Sequence, residues 1–313
     1  MKHTRIAVLG GSGFVGRHVV NALVNQDREV IVPARAREHA KHLFLLPRVQ
    51  IPEVNVRDAA ALAAAIHGAD AVINLIGVLR ESPRAGFTQM HVGVAEAAIE
   101  ACRQNGIRRL IQMSALNADP GGPSPYLRSK GEAEARVAAS GLDWTVFQPS
   151  VIFGPEDKFL NLFAGIAKLL PVIYLAGAAA RFQPVYVGDV AQAIVDSLEW
   201  QEACGRTYCL CGPHVYTLAQ LVRYAGTLAG TPRPILPLPE ALARIQAGLL
   251  ELLPRPPMSV DNLDSMDLDS VCPAGPMLPF GRVPVALEAV APQYLGANAP
   301  RLRYSGFRLK ARR

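Results

Sequence analysis

The chain has 313 residues, of which 50% are hydrophobic and 19% charged, and its formal net charge is +6. This length and composition allow a large buried core and exclude an intrinsically disordered chain. No apolar run approaches the roughly 20 residues that a membrane-spanning helix needs. The basic residues are scattered, without a basic helix or an aromatic stacking platform, so the sequence predicts no nucleic-acid partner.

The cysteines are odd in number and contain no CxxC pair, which predicts no metal site and favours a reducing compartment. They are Cys102, Cys204, Cys209, Cys211 and Cys272. Cys209 and Cys211 have the spacing of two residues on one face of a strand. The first strand pattern follows directly after residues 1–5, which leaves no room for a signal peptide, so we expect a cytoplasmic protein.

Strand and helix patterns alternate along the first half of the chain, which predicts a parallel sheet with crossover helices. In chain order, the predicted elements are a strand from 6, a helix over about 15–23, a strand at 29–33, a helix to about 46, a strand at 49–55, a helix at 59–66, a strand at 69–76, a helix at 88–104, a strand at 109–114, a helix at about 126–140 and a strand at 144–148. From Pro149 the regularity fades, and only the pair 185–189 and 190–198 repeats the strand–helix pattern.

A glycine-rich turn follows the first strand, with Gly10, Gly13 and Gly16 three residues apart. In this context Gly10 permits a tight turn, Gly13 lets a pyrophosphate approach the backbone, and Gly16 lets the helix lie close to the sheet. The sequence therefore predicts a dinucleotide site here. The other residues of the turn expected to contact the cofactor are Ser12, Phe14 and Val15.

The end of the second strand indicates the type of cofactor. A carboxylate there would accept the ribose 2′-hydroxyl of NAD, but the segment carries Arg35 and Arg37 instead. A guanidinium suits a 2′-phosphate, so NADP(H) is favoured over NAD(H). The alternative is that both arginines are surface residues of the next helix.

After the third strand, Val56 and Asp58 are further candidates for cofactor contacts. Asp58 is placed to accept a hydrogen bond from the adenine amino group. It is equally placed to cap the helix that begins at residue 59. One side chain could not easily do both, and the sequence leaves the two alternatives open.

Three residues in the second half of this region indicate catalysis. Tyr126 and Lys130 are four residues apart and share a helix face, where a cation favours the phenolate form of a tyrosine. Ser114 ends the fifth strand, and ligands of open α/β sheets bind at the carboxyl ends of strands. There, a hydroxyl could hydrogen-bond a substrate oxygen.

With these motifs, residues 4–200 resemble the short-chain dehydrogenase/reductases of the extended or atypical, epimerase/dehydratase-like kind. The resemblance implies that Tyr126 is the general acid/base, that Lys130 holds the nicotinamide ribose, and that Ser114 orients the substrate. It also implies that the loop after the fourth strand flanks the cofactor, through Leu75, Ile76 and Gly77, with Pro149 a further contact. His91 departs from the pattern, because extended members often carry Asn there, and this weakens the transfer of an epimerase mechanism.

A narrower resemblance rests on residues 126–130 and 153–161. These segments are similar to the NADPH-binding accessory subunits of the alpha subcomplex of mitochondrial complex I and their bacterial relatives. The resemblance implies a protein that holds NADPH structurally and associates with a respiratory complex.

The predicted fold is α/β, with a doubly wound parallel sheet of the Rossmann type and a smaller, mainly helical C-terminal cap. The dinucleotide-binding domain is expected over 1–153 and is rejoined by about 183–200. Residues 154–182 and 201–257 form the cap on the substrate side, and 258–313 form a basic extension rich in Pro and Gly.

Three functions remain open at this stage. The first is an NADP(H)-dependent oxidoreductase that acts on the alcohol or carbonyl group of a small-molecule substrate. The second is the non-catalytic accessory or assembly protein, and the third is a nucleotide-sugar epimerase or dehydratase. Apolar residues over 160–175 would suit a quinone- or isoprenoid-like substrate, but they would equally form a packed core. Six basic residues over 301–313 form either a solvated tail or a contact with the inner face of an anionic membrane.

Overall fold

The computed structural model of the chain describes residues 3–81, 86–251, 258–275 and 278–296. The last part of the predicted extension, residues 297–313, lies outside these ranges together with the basic cluster over 301–313. The described chain forms two compact units, and their boundaries follow the contacts within each. Of the described residues, the first unit comprises 3–81, 86–149, Val187–Leu210 and Leu278–Arg282, and the second comprises Ser150–Tyr186, 211–251, 258–275 and 283–296.

The elements up to Pro149 alternate as the sequence predicts. They are β1 (Arg5–Leu9), α1 (Phe14–Val24), β2 (Glu29–Ile31), a 3-10 helix (Arg37–Leu43), β3 (Val49–Gln50), α2 (Ala59–Ala65), β4 (Ala71–Asn74), α3 (Phe87–Gln104), β5 (Arg109–Met113), α4 (Pro125–Ala138) and β6 (Asp143–Pro149).

The remaining elements are shorter. They are β7 (Ile152–Phe153), α5 (Leu160–Leu169), β8 (Ile173–Leu175), β9 (Arg181–Phe182), β10 (Val185–Tyr186), α6 (Val187–Asp196), a 3-10 helix (Gln201–Ala203), β11 (Arg206–Leu210), β12 (Tyr216–Thr217), α7 (Leu218–Leu228), β13 (Ile235–Pro237), α8 (Glu240–Glu251), α9 (Val260–Ser265) and α10 (Leu287–Leu295).

The first unit contains a parallel sheet of seven strands in the order β11-β6-β5-β4-β1-β2-β3. The predicted doubly wound, Rossmann-type sheet is therefore confirmed. One face of the sheet packs in a core with α2, α3 and α4, while α1 packs against α6. The strand order reverses between β1 and β4, and ligands of such sheets bind at the carboxyl ends of the strands at this point.

Local signals explain where the helices begin. Ser124 caps α4, because its side chain accepts the Leu127 N–H, and Pro125 occupies the first helical position, where no N–H is needed. Two predicted elements near the sheet edge are corrected. The third strand is only two residues long, because Pro52 has no N–H with which to continue the ladder. The segment that follows β2, predicted to be an α-helix, instead forms a 3-10 helix with a kink at Ala40.

In the second unit, α5, α7 and α10 pack around a core of their own. This core bears on the apolar residues over 160–175, which were expected either to suit a hydrophobic substrate or to form a packed core. Leu160, Phe163, Ile173 and Leu175 are buried there, as a packed core requires, whereas Leu169, Leu170 and Tyr174 are exposed. Among the described residues, no helix combines the length and apolar character required to span a bilayer.

The cysteines are arranged differently from the prediction. Strand β11 ends at Leu210, so that Cys209 lies in the strand and Cys211 does not. Cys211 instead forms a disulfide with Cys272 within the second unit, across 61 positions of sequence. Disulfides are typical of oxidising compartments, so the cysteine pattern gives no support for a reducing one.

Candidate functional site

The glycine turn lies at the carboxyl end of β1, next to the point where the strand order reverses. Gly10 has a φ of +77°, which a side chain would strain. A Cβ on Gly16 would lie 2.2 Å from the Gly10 carbonyl oxygen, so that only glycine lets α1 start this close to the turn. These two positions have the geometry that the sequence predicts for them.

Gly13 opens the turn toward solvent. It is exposed, it occupies the N-cap position of α1, and no side chain caps the helix there. A Cβ on Gly13 would meet only the Gly10 carbonyl oxygen, at 3.1 Å. The first turn of α1 carries no acidic residue, so its N–H groups face no competing carboxylate on the helix. The cradle therefore fits the diphosphate of a dinucleotide. Ser12, Phe14 and Val15 lie in the same turn.

The loop after β4 lies against this turn. A Cβ on Gly10 would be 3.2 Å from both Leu75 and Ile76, and the Leu75 N–H donates to the Leu9 carbonyl at 2.9 Å. Asn74 shapes the loop, because its Oδ1 accepts the Ile76 N–H at 3.1 Å. Asn74 opens the segment that the resemblance places beside the cofactor, but its side chain is not among the predicted contacts.

Arg35 and Arg37 are both exposed beyond β2. Arg37 begins the 3-10 helix, its N–H donates to Glu53 Oε1 at 2.8 Å, and its guanidinium lies over the Phe44 ring. Arg35 has no ion-pair partner within the part of the chain that the structure describes. A cation that is unpaired and exposed at this edge of the sheet is available to a phosphate.

Asp58 caps α2. Its Oδ1 accepts the Ala60 and Ala61 N–H groups at 3.1 Å each, so the capping alternative is confirmed. Val56 is 6% exposed and belongs to the core, so its side chain faces the protein interior. Contacts of either residue with adenine stay predictions.

The three residues predicted to be catalytic occupy neighbouring elements. Ser114 directly follows β5, and Tyr126 and Lys130 lie on α4. Lys130 is 4% exposed, and its Nζ donates to the Met113 carbonyl at 3.3 Å, which places the ammonium group beside the strand end that carries Ser114. Pro149 ends β6, and its carbonyl accepts the Leu116 N–H.

The ammonium group of Lys130 is held in an unfavourable environment. Burial lowers its pKa to about 8, against the opposing effect of Glu134. It has no ion pair within 4 Å among the described residues. The Ser114 hydroxyl is also buried, and its interaction with the Glu134 carboxylate acts to lower the pKa of Glu134 against the larger effect of burial. A buried ammonium group left without an ion pair is typical of sites that complete their bonding with a ligand.

Two residues beside this group, the half-buried Glu134 and the buried His91, were not predicted as site residues. Glu134 lies one turn beyond Lys130, and burial raises its pKa while Gln148 Nε2 donates to both carboxylate oxygens at 2.9 Å. His91 lies on α3 against the Tyr126 ring, with ring centroids 5.6 Å apart. A carboxylate eight residues after Tyr126 could have been found from helical spacing; His91 was noticed only as a departure from a family pattern. Within the described ranges, no group of three His, Cys, Asp or Glu residues could hold a metal ion.

Comparison with known proteins supports an NAD(P)H-binding domain. A family model described as NAD(P)H-binding matches residues 10–160. The alpha subcomplex subunit 9 of mitochondrial NADH dehydrogenase (ubiquinone) 1 from Arabidopsis thaliana is 34% identical over 275 residues, which cover 83% of this chain and 68% of that protein. The Mus musculus subunit is 36% identical over 223 residues, covering 69% of this chain, and the chain spans only 59% of that protein's length.

Two further proteins are similar. The ceramide reductase of Caulobacter vibrioides is 30% identical over 191 residues, 61% of this chain and 59% of the reductase. The crystal structure of the NADPH-dependent quinone oxidoreductase QOR2 of Escherichia coli in complex with NADPH has a TM-score of 0.69, with 21% identity over 85% of this chain and 91% of that one. The second likeness shows a shared fold. With an NAD(P)H-binding domain and these sequence relatives, the chain belongs to the family of the alpha subcomplex subunit 9 of NADH dehydrogenase.

Proposed function

We propose that the protein is an NADP(H)-dependent oxidoreductase of the short-chain dehydrogenase/reductase type. The observation that carries the proposal is the buried ammonium group of Lys130, whose one hydrogen bond among the described residues is to the Met113 carbonyl. Burying a cation with so little compensation lowers stability, and groups in such environments cluster at functional sites. The position of this cation, beside Ser114 and one helical turn from Tyr126, is the one that carbonyl reduction requires.

Each residue has a role that follows from its chemistry. Reduced nicotinamide, when bound, supplies a hydride to the carbonyl carbon. Tyr126 donates its phenolic proton to the oxygen of the same carbonyl, and the Lys130 cation stabilises the phenolate that is left. Ser114 donates a hydrogen bond to that oxygen and holds the carbonyl in place. In the reverse direction, the phenolate accepts the proton of an alcohol.

The preference for NADP(H) over NAD(H) is the second part of the proposal. It is supported by the exposed Arg35 at the end of β2, which can form charge-assisted hydrogen bonds with a 2′-phosphate. Gly11 lies against Val32, three residues before Arg35, so this strand end and the glycine turn are neighbours.

A hydrophobic carbonyl or quinone is the proposed substrate class. Support comes from the names of two similar proteins, a ceramide reductase and a quinone oxidoreductase. The buried apolar residues over 160–175 no longer contribute, since they form the core of the second unit.

A second candidate function is favoured by family membership itself. The Arabidopsis and mouse relatives, at 34% and 36% identity, are subunits of NADH dehydrogenase. The protein would then hold NADPH without turnover, as an accessory or assembly protein attached peripherally to a respiratory complex. The two candidates share the cofactor site and differ in whether Tyr126 transfers a proton.

Tyr126→Phe separates the two candidates. The substitution keeps the aromatic ring but removes the transferable proton, so NADPH binding should be unchanged, while turnover should fall by about 10²- to 10⁴-fold. Binding is measured by calorimetry, and turnover by NADPH oxidation with a panel of quinones, ketones and aldehydes. If the wild-type protein binds NADPH and oxidises it with none of them, the accessory role replaces the enzymatic one.

A further inference from the structure

His91 lies between the loop that follows β4 and the helix α4. The residue is on α3 and is only 1% exposed. Its Nε2 accepts the Val78 N–H at 3.0 Å, and its Nδ1 lies 2.8 Å from the Ser129 hydroxyl oxygen. Ser129 in turn donates to the carbonyl of Tyr126 at 2.8 Å. The imidazole therefore contacts the loop with one nitrogen and α4 with the other.

The directions of these hydrogen bonds fix the state of the ring. The Ser129 hydroxyl uses its proton for the Tyr126 carbonyl, so Nδ1 of His91 carries the hydrogen and donates to Ser129. Nε2 accepts from Val78 and is therefore unprotonated. Burial and the charge of Lys130 lower the pKa of His91 to about 3, which is consistent with a neutral ring.

The result is an uninterrupted series of three hydrogen bonds from the Val78 amide to the Tyr126 carbonyl. Gly77 is enclosed by the same groups, because a Cβ there would lie 3.0 Å from Lys130 Nζ and 3.7 Å from His91 Nε2. The ring of His91 also stacks on Phe87 at 5.6 Å, which limits its freedom to turn. The distance between loop 75–78 and the Tyr126–Lys130 turn of α4 is thus set by one side chain.

We propose that His91 is a positioning residue that sets the nicotinamide half of the cofactor site and leaves the adenosine half unaffected. The inference rests on the proposed function, because it takes loop 75–78 and α4 to enclose the nicotinamide end. The adenosine end is proposed to involve Arg35, which has no hydrogen bond or ion pair with His91, Val78 or Ser129 among the described residues. A change at His91 should therefore act on one half of the cofactor only.

The test compares two ligands by calorimetry: NADPH, and adenosine 2′,5′-bisphosphate, which lacks the nicotinamide half. Three variants of His91 break the series at different places. His91→Gln can still accept from Val78, His91→Asn can still donate to Ser129, and His91→Phe does neither. Ser129→Ala breaks the series without altering the imidazole. Each variant should weaken NADPH binding by about tenfold or more, since each loses at least one hydrogen bond of the series, and should change binding of the bisphosphate by less than about twofold.

Cys102→Ala is the matched control, since it removes a buried side chain from the same helix and Cys102 is not part of the hydrogen-bond series. It should lower the melting temperature and leave both affinities unchanged. The inference would be overturned if the His91 and Ser129 variants lost affinity for both ligands equally, or if their affinity for NADPH did not change. A wild-type protein that binds neither ligand would overturn the proposed function and the inference with it. If NADH binds in place of NADPH, the pair NADH and AMP makes the same comparison.

Discussion

Lys130 in the first unit and Asp157 in the second are both buried charged side chains, at 4% and 3% exposure, but their surroundings differ. The Lys130 ammonium has one hydrogen bond, to a backbone carbonyl. The Asp157 carboxylate accepts five hydrogen bonds. Its donors are the N–H groups of Gly154, Phe159, Leu160 and Asn161 and the hydroxyl of Tyr294.

The difference separates a structural group from a functional one. Asp157 connects the start of α5 to α10 through hydrogen bonds, and all of these donors belong to its own unit. Lys130 meets far fewer partners than an ammonium group can bind, since it has three N–H donors. Burial raises the pKa of Asp157 as it lowers that of Lys130, so the two differ in their hydrogen bonds and not in the cost of burial. The donors around Asp157 depend on it for their acceptor, whereas Lys130 costs stability until a ligand completes its bonding.

Removing the satisfied group should have the largest effect on stability. Asp157→Ala leaves five donors, three of them buried, without this acceptor and should lower the free energy of unfolding by about 3 kcal/mol or more. Asp157→Asn should lose much less, because its carbonyl oxygen still accepts the three N–H groups at the start of α5. Urea denaturation measures both. A loss below about 1 kcal/mol in Asp157→Ala would show that the network is dispensable.

Removing the Lys130 ammonium group should raise the free energy of unfolding, in contrast to the removal of Asp157. Because burial lowers the pKa of Lys130 from 10.5 to about 8, the folded state is penalised whenever the amine is charged. Lys130→Met should therefore raise the free energy of unfolding of the ligand-free protein at pH 7, by about 2 kcal/mol, while abolishing turnover.

The pH dependence gives an independent check on this assignment. Between pH 8 and 10.5 the unfolded chain holds the Lys130 proton and the folded chain has released it, so wild-type stability should rise with pH in this interval. Lys130→Met should lack that contribution. If the variant is less stable than the wild type at pH 7, the ammonium group is part of the folding framework and the contrast with Asp157 fails.

Arg35 extends the comparison to a charge that is neither buried nor paired, and the expected effect is the smallest. Arg35→Ala should leave the melting temperature unchanged and weaken NADPH binding by about tenfold, while NADH binding changes little. Arg37→Ala is compared with it, because Arg37 is the second arginine predicted near the 2′-phosphate. The hydrogen bond from Arg37 to Glu53 uses the backbone N–H and therefore survives the substitution. Equal losses for both cofactors in Arg35→Ala would remove Arg35 from the phosphate site.

The sequence predicted the sheet well because each unit of the alternation is a local pattern. The apolar run before Gly10 and the helical spacing after it determine β1 and α1 without reference to the rest of the fold. The same holds for the turn of α4 that carries Tyr126 and Lys130. These are short-range signals, and the three-dimensional structure adds little to them.

Long-range contacts explain what the sequence could not provide. Asp58 remained ambiguous because a cap and an adenine contact require the same residue at the same place. The partner of Cys211 lies 61 positions away, so spacing could not reveal it. The role proposed for His91 depends on Val78 and Ser129, on two other segments, and only the folded chain brings them together.

The sheet of the first unit is interrupted in sequence: β6 ends at Pro149, and its outer neighbour β11 does not begin until Arg206. The helix α6, which packs on α1, is also encoded after the interruption. At ribosomal speeds of about 5–20 residues per second, these roughly 60 residues take about 3 to 12 s to synthesise. For that time β6 is an unpaired edge strand, with backbone N–H and C=O groups open to pairing with other chains.

A shortened protein ending at residue 160, where the family match ends, would make this transient exposure permanent. Aggregation during expression is the expected result.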